Sequence, residues 1–195
     1  MNDNPEVTLM ESIRAKWGST IAVACHESSI PESFLAALIA NETGGDPTKS
    51  RFEERVFGEI LMVLAGKRAQ FGSLGAQSLM ATPLVSLIAG LNTVVDMATS
   101  WGLTQIMGYQ TIPFGKKIAG LRDPQENLTF ATVLLTQFAH RFNLNIAANY
   151  PELFACWNTG GPHPEKTFDP DYCANGLRRA MLYAGTASPS AGVSA

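Results

Sequence analysis

Between Ser29 and Pro47 the chain reads SIPESFLAALIANETGGDP. Leu35, Leu38, Ile39 and Glu42 recur at i, i+3, i+4 and i+7, the spacing of one face of an α-helix, and Gly44-Gly45-Asp46-Pro47 is the chemistry that ends one. Ser29-Ile-Pro-Glu32 has the form of a capping box with an early proline, so a firm helix is expected from there to the glycine pair. Such a helix needs a core to pack into. With 195 residues and 46% apolar composition the chain can bury one, and a single globular domain is expected over residues 1–185, followed by a small, polar, flexible tail at 186–195.

The remaining pattern is also helical. A second helix is expected from about Arg51 to Leu64, with Phe52, Val56, Ile60 and Leu64 on one face. Residues 66–82 carry three glycines and weak periodicity and read as a loop or small lobe. Pro83 opens the most apolar segment, Leu84–Val95, which is too short for a membrane span and reads as a buried helix. Asp123-Pro-Gln-Glu126 offers a cap, a proline and a third-position glutamate, followed by Leu128, Ala131, Leu135, Phe138 and Phe142 at helical spacing. A short helix near Pro151–Trp157, a Gly/Pro loop, and a last helix from about Asp171 to Tyr183 complete a mainly α chain with little or no β.

A net charge of −3 and the lack of a basic, aromatic-interleaved run argue against nucleic acid as a partner. Three cysteines, Cys25, Cys156 and Cys173, allow at most one bridge and fit synthesis in a reducing compartment. No signal peptide is visible, so action outside the cytoplasm implies another route of release, and no stable membrane insertion is expected. The spacings of Cys156, His163, Asp169 and Cys173 match no metal-ligand pattern. No metal and no cofactor are expected.

Two polar residues stand among apolar ones. Glu42 ends its helix on the apolar stripe, where partial desolvation and the negative end of the helix dipole would raise its pKa toward that of a general acid; turning outward over the glycine corner is the alternative. Gln105, in ATSWGLTQIMG, follows Trp101-Gly102 between apolar neighbours. An amide buried there needs its donors and acceptors matched, by the protein's own backbone or by a ligand.

Three segments carry a resemblance. Ala37–Gly45, ALIANETGG, resembles the catalytic-glutamate motif of the lytic transglycosylase and goose-type lysozyme superfamily. Ser100–Gly108, SWGLTQIMG, is similar to its Gly-Leu-Met-Gln-x-Met motif, and Phe154–Gly161, FACWNTGG, to its Ala-x-Tyr-Asn-x-Gly motif. The phage endolysin muramidase domains are closer still, sharing a segment like RFEERVF (residues 51–57), the Ser-Trp-Gly-Leu-Phe-Gln-Ile-Met-Gly motif and a closing Tyr-Asp-x-x-Leu helix. The match spans about Ile30 to Tyr183. Thr43 stands for the usual serine, Thr104 for Met or Phe, and Trp157 for Tyr, whose phenol oxygen tryptophan cannot supply.

The resemblance implies a lysozyme-like helical fold and a peptidoglycan hydrolase, a muramidase cutting the β-1,4 bond between N-acetylmuramic acid and N-acetylglucosamine. Glu42 would protonate the leaving oxygen. Gln105, Trp101, Tyr109, Trp157 and Asn158 would line the sugar cleft. Asp96 precedes Gly102 at the separation of an aspartate that acts on water in goose-type lysozymes; a plain helix-end role is its alternative. Glu53 and Glu54 read as exposed helix-face acids. The rival outcomes are a lytic transglycosylase giving 1,6-anhydromuramic ends and a non-catalytic glycan-binding or structural module.

Overall fold

The computed structural model describes residues 4–80 and 87–185, so the expected helix start at Pro83 and the tail at 186–195 lie outside the described residues. The fold is mainly helical, 66% helix against 7% strand. The chain divides into two compact units: one formed by Met1–Gly45 with Leu128–Ala195, the other by Asp46–Asn127.

In the first unit, helix α1 (Pro5–His26) opens on Asn4, whose Oδ1 accepts the Glu6 N–H at 3.0 Å. This helix, the longest among the described residues, is not marked by apolar periodicity, because Gly18, Ser19 and Thr20 interrupt its apolar run. Met10, Ile13 and Ile21 are nonetheless fully buried. Helix α2 (Glu32–Glu42) is the centre of this unit. Phe34 through Ile39 have no exposed surface at all, so α2 is enclosed on every side rather than along a single stripe.

The expected Ser29 cap does not form. Pro31, extended at φ −65° and ψ 141°, is the N-cap and has no side-chain capping bond. A cap at Ser29 would make Ile30 the first helical residue, and the residue before a proline is driven out of the helical region, so Ile30 cannot take that place. Its end follows expectation: the N–H groups of Thr43 and Gly44 both reach the Ile39 carbonyl, and Gly44 and Gly45 turn at φ +64° and +91°. The Trp17 indole donates to the Gly45 carbonyl at 3.0 Å and fastens this corner to α1.

Helix α6 (Pro124–Phe142) begins as expected, with the Glu126 N–H on Asp123 Oδ1 at 2.9 Å. Its Leu128, Ala131 and Leu135 are fully buried. Helices α7 (Tyr150–Thr159) and α8 (Tyr172–Gly185) follow, separated by a loop with a 3-10 turn at Pro164–Lys166. An aromatic row crosses the unit. Phe34 of α2 stacks on Phe154 of α7 at 4.2 Å, and Phe154 meets the ring of Tyr172 edge-on at 6.2 Å. Gly176 permits this approach, since a Cβ there would lie 2.7 Å from the Phe154 ring.

The second unit is a small sheet beside helices. Strands β1 (Ser50–Phe52), β4 (Thr99–Trp101) and β5 (Ile106–Met107) form an antiparallel sheet in the order β1-β4-β5, with Ser50 opposite Trp101 and Trp101 opposite Ile106. The helix expected from Arg51 therefore starts later, as α3 (Glu54–Leu64). Arg51 and Phe52 are held by Ser100 and Thr99, and the Glu53 N–H extends the pairing to the Ala98 carbonyl at 2.8 Å.

Residues 66–80 hold the hairpin β2 (Gln70–Phe71)–β3 (Leu74–Gly75) and the short helix α4 (Ala76–Met80). They close a core of Ile60, Val63, Leu74, Leu79, Val94, Met97 and Ala98. Helix α5 (Leu87–Met97) is not wholly buried as expected: Val94 and Met97 face that core, while Leu91 and Val95 remain 48% and 39% exposed. No helix among the described residues is long and apolar enough to cross a membrane.

Candidate functional site

In the first unit, chemistry gathers at the end of α2. Glu42 is half-buried, and the Tyr172 hydroxyl, from the start of α8, donates to its Oε1. Tyr172 is 8% exposed. Burial first, then the charge and hydrogen bond of the adjacent Glu42 carboxylate, hold its phenol well above the ordinary tyrosine range. It stays a neutral donor.

The same tyrosine is held at its backbone. The Asn41 amide donates to the Tyr172 carbonyl at 3.0 Å and accepts from Arg179 Nη1 at 2.7 Å; Arg179 in turn meets Glu6 Oε1 through Nη2 at 3.0 Å. Glu6 lies below the usual carboxylate range, first through its hydrogen bond from Arg178 and then through Arg179. Neither Tyr172 nor Arg179 was singled out by sequence. The face that α8 presents, Tyr172, Gly176, Arg179, Ala180 and Tyr183 at helical spacing, was the available signal.

Trp157 and Asn158 are both half-buried at the end of α7. Asn158 Oδ1 accepts the Phe168 N–H at 3.0 Å, so its amide holds the loop leading to α8.

In the second unit, Gln105 answers its own question. It stands at φ +54°, in the left-handed region, and its side chain folds back over the turn between β4 and β5. Its Oε1 accepts from Ser100 at 2.9 Å, and its Nε2 reaches the carbonyls of Lys49 and Gly102, each at 3.0 Å. Both amide hydrogens are used within the protein. The amide expected to face a ligand is engaged by the protein's own groups, and clamps a turn at positive φ to its own backbone.

Gln105→Ala is therefore expected to cost about 1–3 kcal/mol of stability, through the orphaned Lys49, Gly102 and Ser100 groups. In denaturant unfolding with and without chitooligosaccharide, any ligand-induced stabilisation should survive the substitution. Loss of that stabilisation at parental stability would restore a ligand role.

Beneath this turn lies a residue the sequence reading passed over. Asn127 is fully buried; its Oδ1 accepts from the Thr104 N–H at 3.1 Å and hydroxyl at 2.7 Å, and its Nδ2 donates to the carbonyls of Trp101 at 2.9 Å and Leu121 at 3.0 Å. This accounts for a fully buried threonine at 104. It also accounts for Gly102, at φ +71°, where a Cβ would come within 2.4 Å of the Leu121 carbonyl oxygen. Asn127 lies four residues before Ala131 on the α6 stripe, a polar residue at an apolar position, and that was its sequence signal.

Trp101 is half-buried. Its indole donates to the Asp96 carbonyl at 3.1 Å, and the Arg122 guanidinium lies over its ring at 4.2 Å. Arg122 also faces the Asp96 carboxylate at 3.7 Å, with the Asp96 side chain 44% exposed. Tyr109 packs edge-on against Phe71 at 5.1 Å, and burial raises its phenol pKa. Glu53 lies just before α3 rather than on it and pairs with Arg51, while Glu54 is exposed in its first turn.

Cys25, Cys156 and Cys173 are free and buried, with burial pushing their thiols up to about 12, 11 and 11. Among the described residues no group of three or more His, Cys, Asp or Glu side chains is placed to hold a metal ion. Comparison of the chain with family models, curated proteins and solved structures found no match in any of the three.

Proposed function

We propose that this chain is a peptidoglycan hydrolase with a lysozyme-like fold, a muramidase cutting between N-acetylmuramic acid and N-acetylglucosamine with Glu42 as general acid. The observation that carries the proposal is the Glu42–Tyr172 pair: a half-buried carboxyl at the end of an enclosed helix, oriented by a buried phenol. With Oε1 accepting from Tyr172, the transferable proton of the acid form belongs on Oε2. The order of the three motif-like segments supports the choice of substrate. Trp157 and Asn158, in the same unit as Glu42, would contribute to saccharide binding; Gln105 would act by holding its own turn.

One observation favours a second reading. A hydrolase that inverts needs a second carboxylate to activate water, whereas a transglycosylase uses the muramic 6-hydroxyl and manages with one acid. Asp96, half-exposed and paired with Arg122, has the surroundings of an ordinary surface aspartate. Asp96→Asn is therefore expected to change turnover less than about threefold, an effect below 1 kcal/mol. Mass analysis of the product ends separates the reactions: reducing muramic ends mean hydrolysis, and 1,6-anhydro ends mean transglycosylation. A loss of a hundredfold or more in a folded Asp96→Asn variant, with reducing ends in the parent, would return Asp96 to the water-activating role.

A further inference from the structure

Two residues of α2, adjacent in sequence, grip the two ends of Tyr172. Asn41 takes its backbone carbonyl and Glu42 takes its phenol. An asparagine amide can point either way, and what fixes this one is Arg179: its Nη1 lies 2.7 Å from Asn41 Oδ1, which turns Asn41 Nδ2 toward Tyr172. Arg179 is only 17% exposed, and Glu6 from α1 anchors its other edge. The connection runs without a break from Glu6 through Arg179 and Asn41 to Tyr172 and Glu42, and joins α1, α8 and α2 within a single unit.

Arg178 supplies a contrast. It also binds Glu6, at 2.8 Å, but its other contact is Asn175, and it is exposed. One arginine of the Glu6 cluster leads to Glu42 and its neighbour does not.

We infer that Arg179 and Asn41 are positioning residues for Glu42, setting the orientation in which the Tyr172 phenol meets its carboxyl; as a statement about catalysis this rests on the reading of Glu42 as the general acid. Lysine at 179 keeps the charge but lacks the planar fork that spans Glu6 and Asn41 together. The Coulombic and positioning roles are therefore separable.

The test labels the tyrosine Cζ and glutamate Cδ carbons with 13C and follows both by NMR across pH in the parent, Arg179→Lys, Asn41→Ser and Arg178→Lys. The expected result is that the first two substitutions move the Tyr172 resonance and raise the Glu42 titration midpoint, because a donated hydrogen bond that favours the carboxylate is weakened. Arg178→Lys should move neither. On peptidoglycan, kcat should fall about ten- to a hundredfold at nearly unchanged KM for Arg179→Lys and Asn41→Ser alone.

Unmoved Tyr172 and Glu42 signals in a folded Arg179→Lys or Asn41→Ser protein would overturn the inference, as would equal effects from Arg178→Lys. The NMR arm does not depend on turnover. If the parent does not cleave peptidoglycan yet Arg179→Lys shifts Glu42, the muramidase reading fails and the positioning of Glu42 stands; if the parent cleaves and nothing shifts, the reverse holds.

Discussion

Glu42→Gln is expected to remove turnover on peptidoglycan while leaving the fold intact. The amide is nearly isosteric with the carboxyl, and its Oε1 can still accept from Tyr172, so the far-UV spectrum and melting temperature should stay close to the parent. What it cannot do is release a proton. General acid catalysis typically contributes about a hundred- to ten-thousandfold, so roughly 3 kcal/mol or more of transition-state stabilisation should be lost, measured as the clearing rate of purified cell walls. A second arm isolates proton donation. On an aryl glycoside whose phenolate leaves without protonation, the Gln variant should retain far more of the parental rate. Equal losses on both substrates would show that Glu42 acts in some other way.

The second large effect concerns stability. Asn127→Ala should cost the Asp46–Asn127 unit about 3–5 kcal/mol, because it orphans the carbonyls of Trp101 and Leu121 and the N–H and hydroxyl of Thr104 inside the protein. Denaturant unfolding monitored by tryptophan fluorescence would report it through Trp101, whose carbonyl is one of the orphaned groups. A cost below about 1 kcal/mol would mean that water or a small backbone shift replaces the amide, and that Asn127 is not the fastening of the β4–β5 turn.

What the sequence made legible was local. The end of α2 follows from Gly44 and Gly45, and the start of α6 from Asp123 and Pro124, because these signals act within one or two turns of helix. The start of α2 departs from the Ser29 capping pattern because Pro31 keeps Ile30 out of the helical region. Arg51 and Phe52 look helical until Thr99 and Ser100, nearly fifty residues away, pair with them. Non-local partners override a short stretch of periodicity.

The candidate site divides in the same way. Glu42 stands out because a charge on an apolar stripe is anomalous by itself. Tyr172 does not, since 130 positions separate it from the carboxyl it binds, and no spacing rule spans that distance. Gln105 is visibly a polar residue requiring partners, but which ones depends on Lys49 and Ser100, which the turn geometry brings to it. Asp96 sits in a largely apolar segment, yet its carboxylate is half-exposed beside Arg122, because Leu91 and Val95 of the same helix also face outward.

The decisive experiment is to incubate the parent chain and Glu42→Gln with purified peptidoglycan and to identify the sugar at the newly formed C1 end of each soluble fragment by mass spectrometry. Fragments from the parent should all carry muramic acid at that end, reducing or 1,6-anhydro, and the variant should release none. Fragments whose newly formed C1 end is N-acetylglucosamine, fragments cut only in the peptide stems, or equal release by Glu42→Gln would contradict the muramidase assignment.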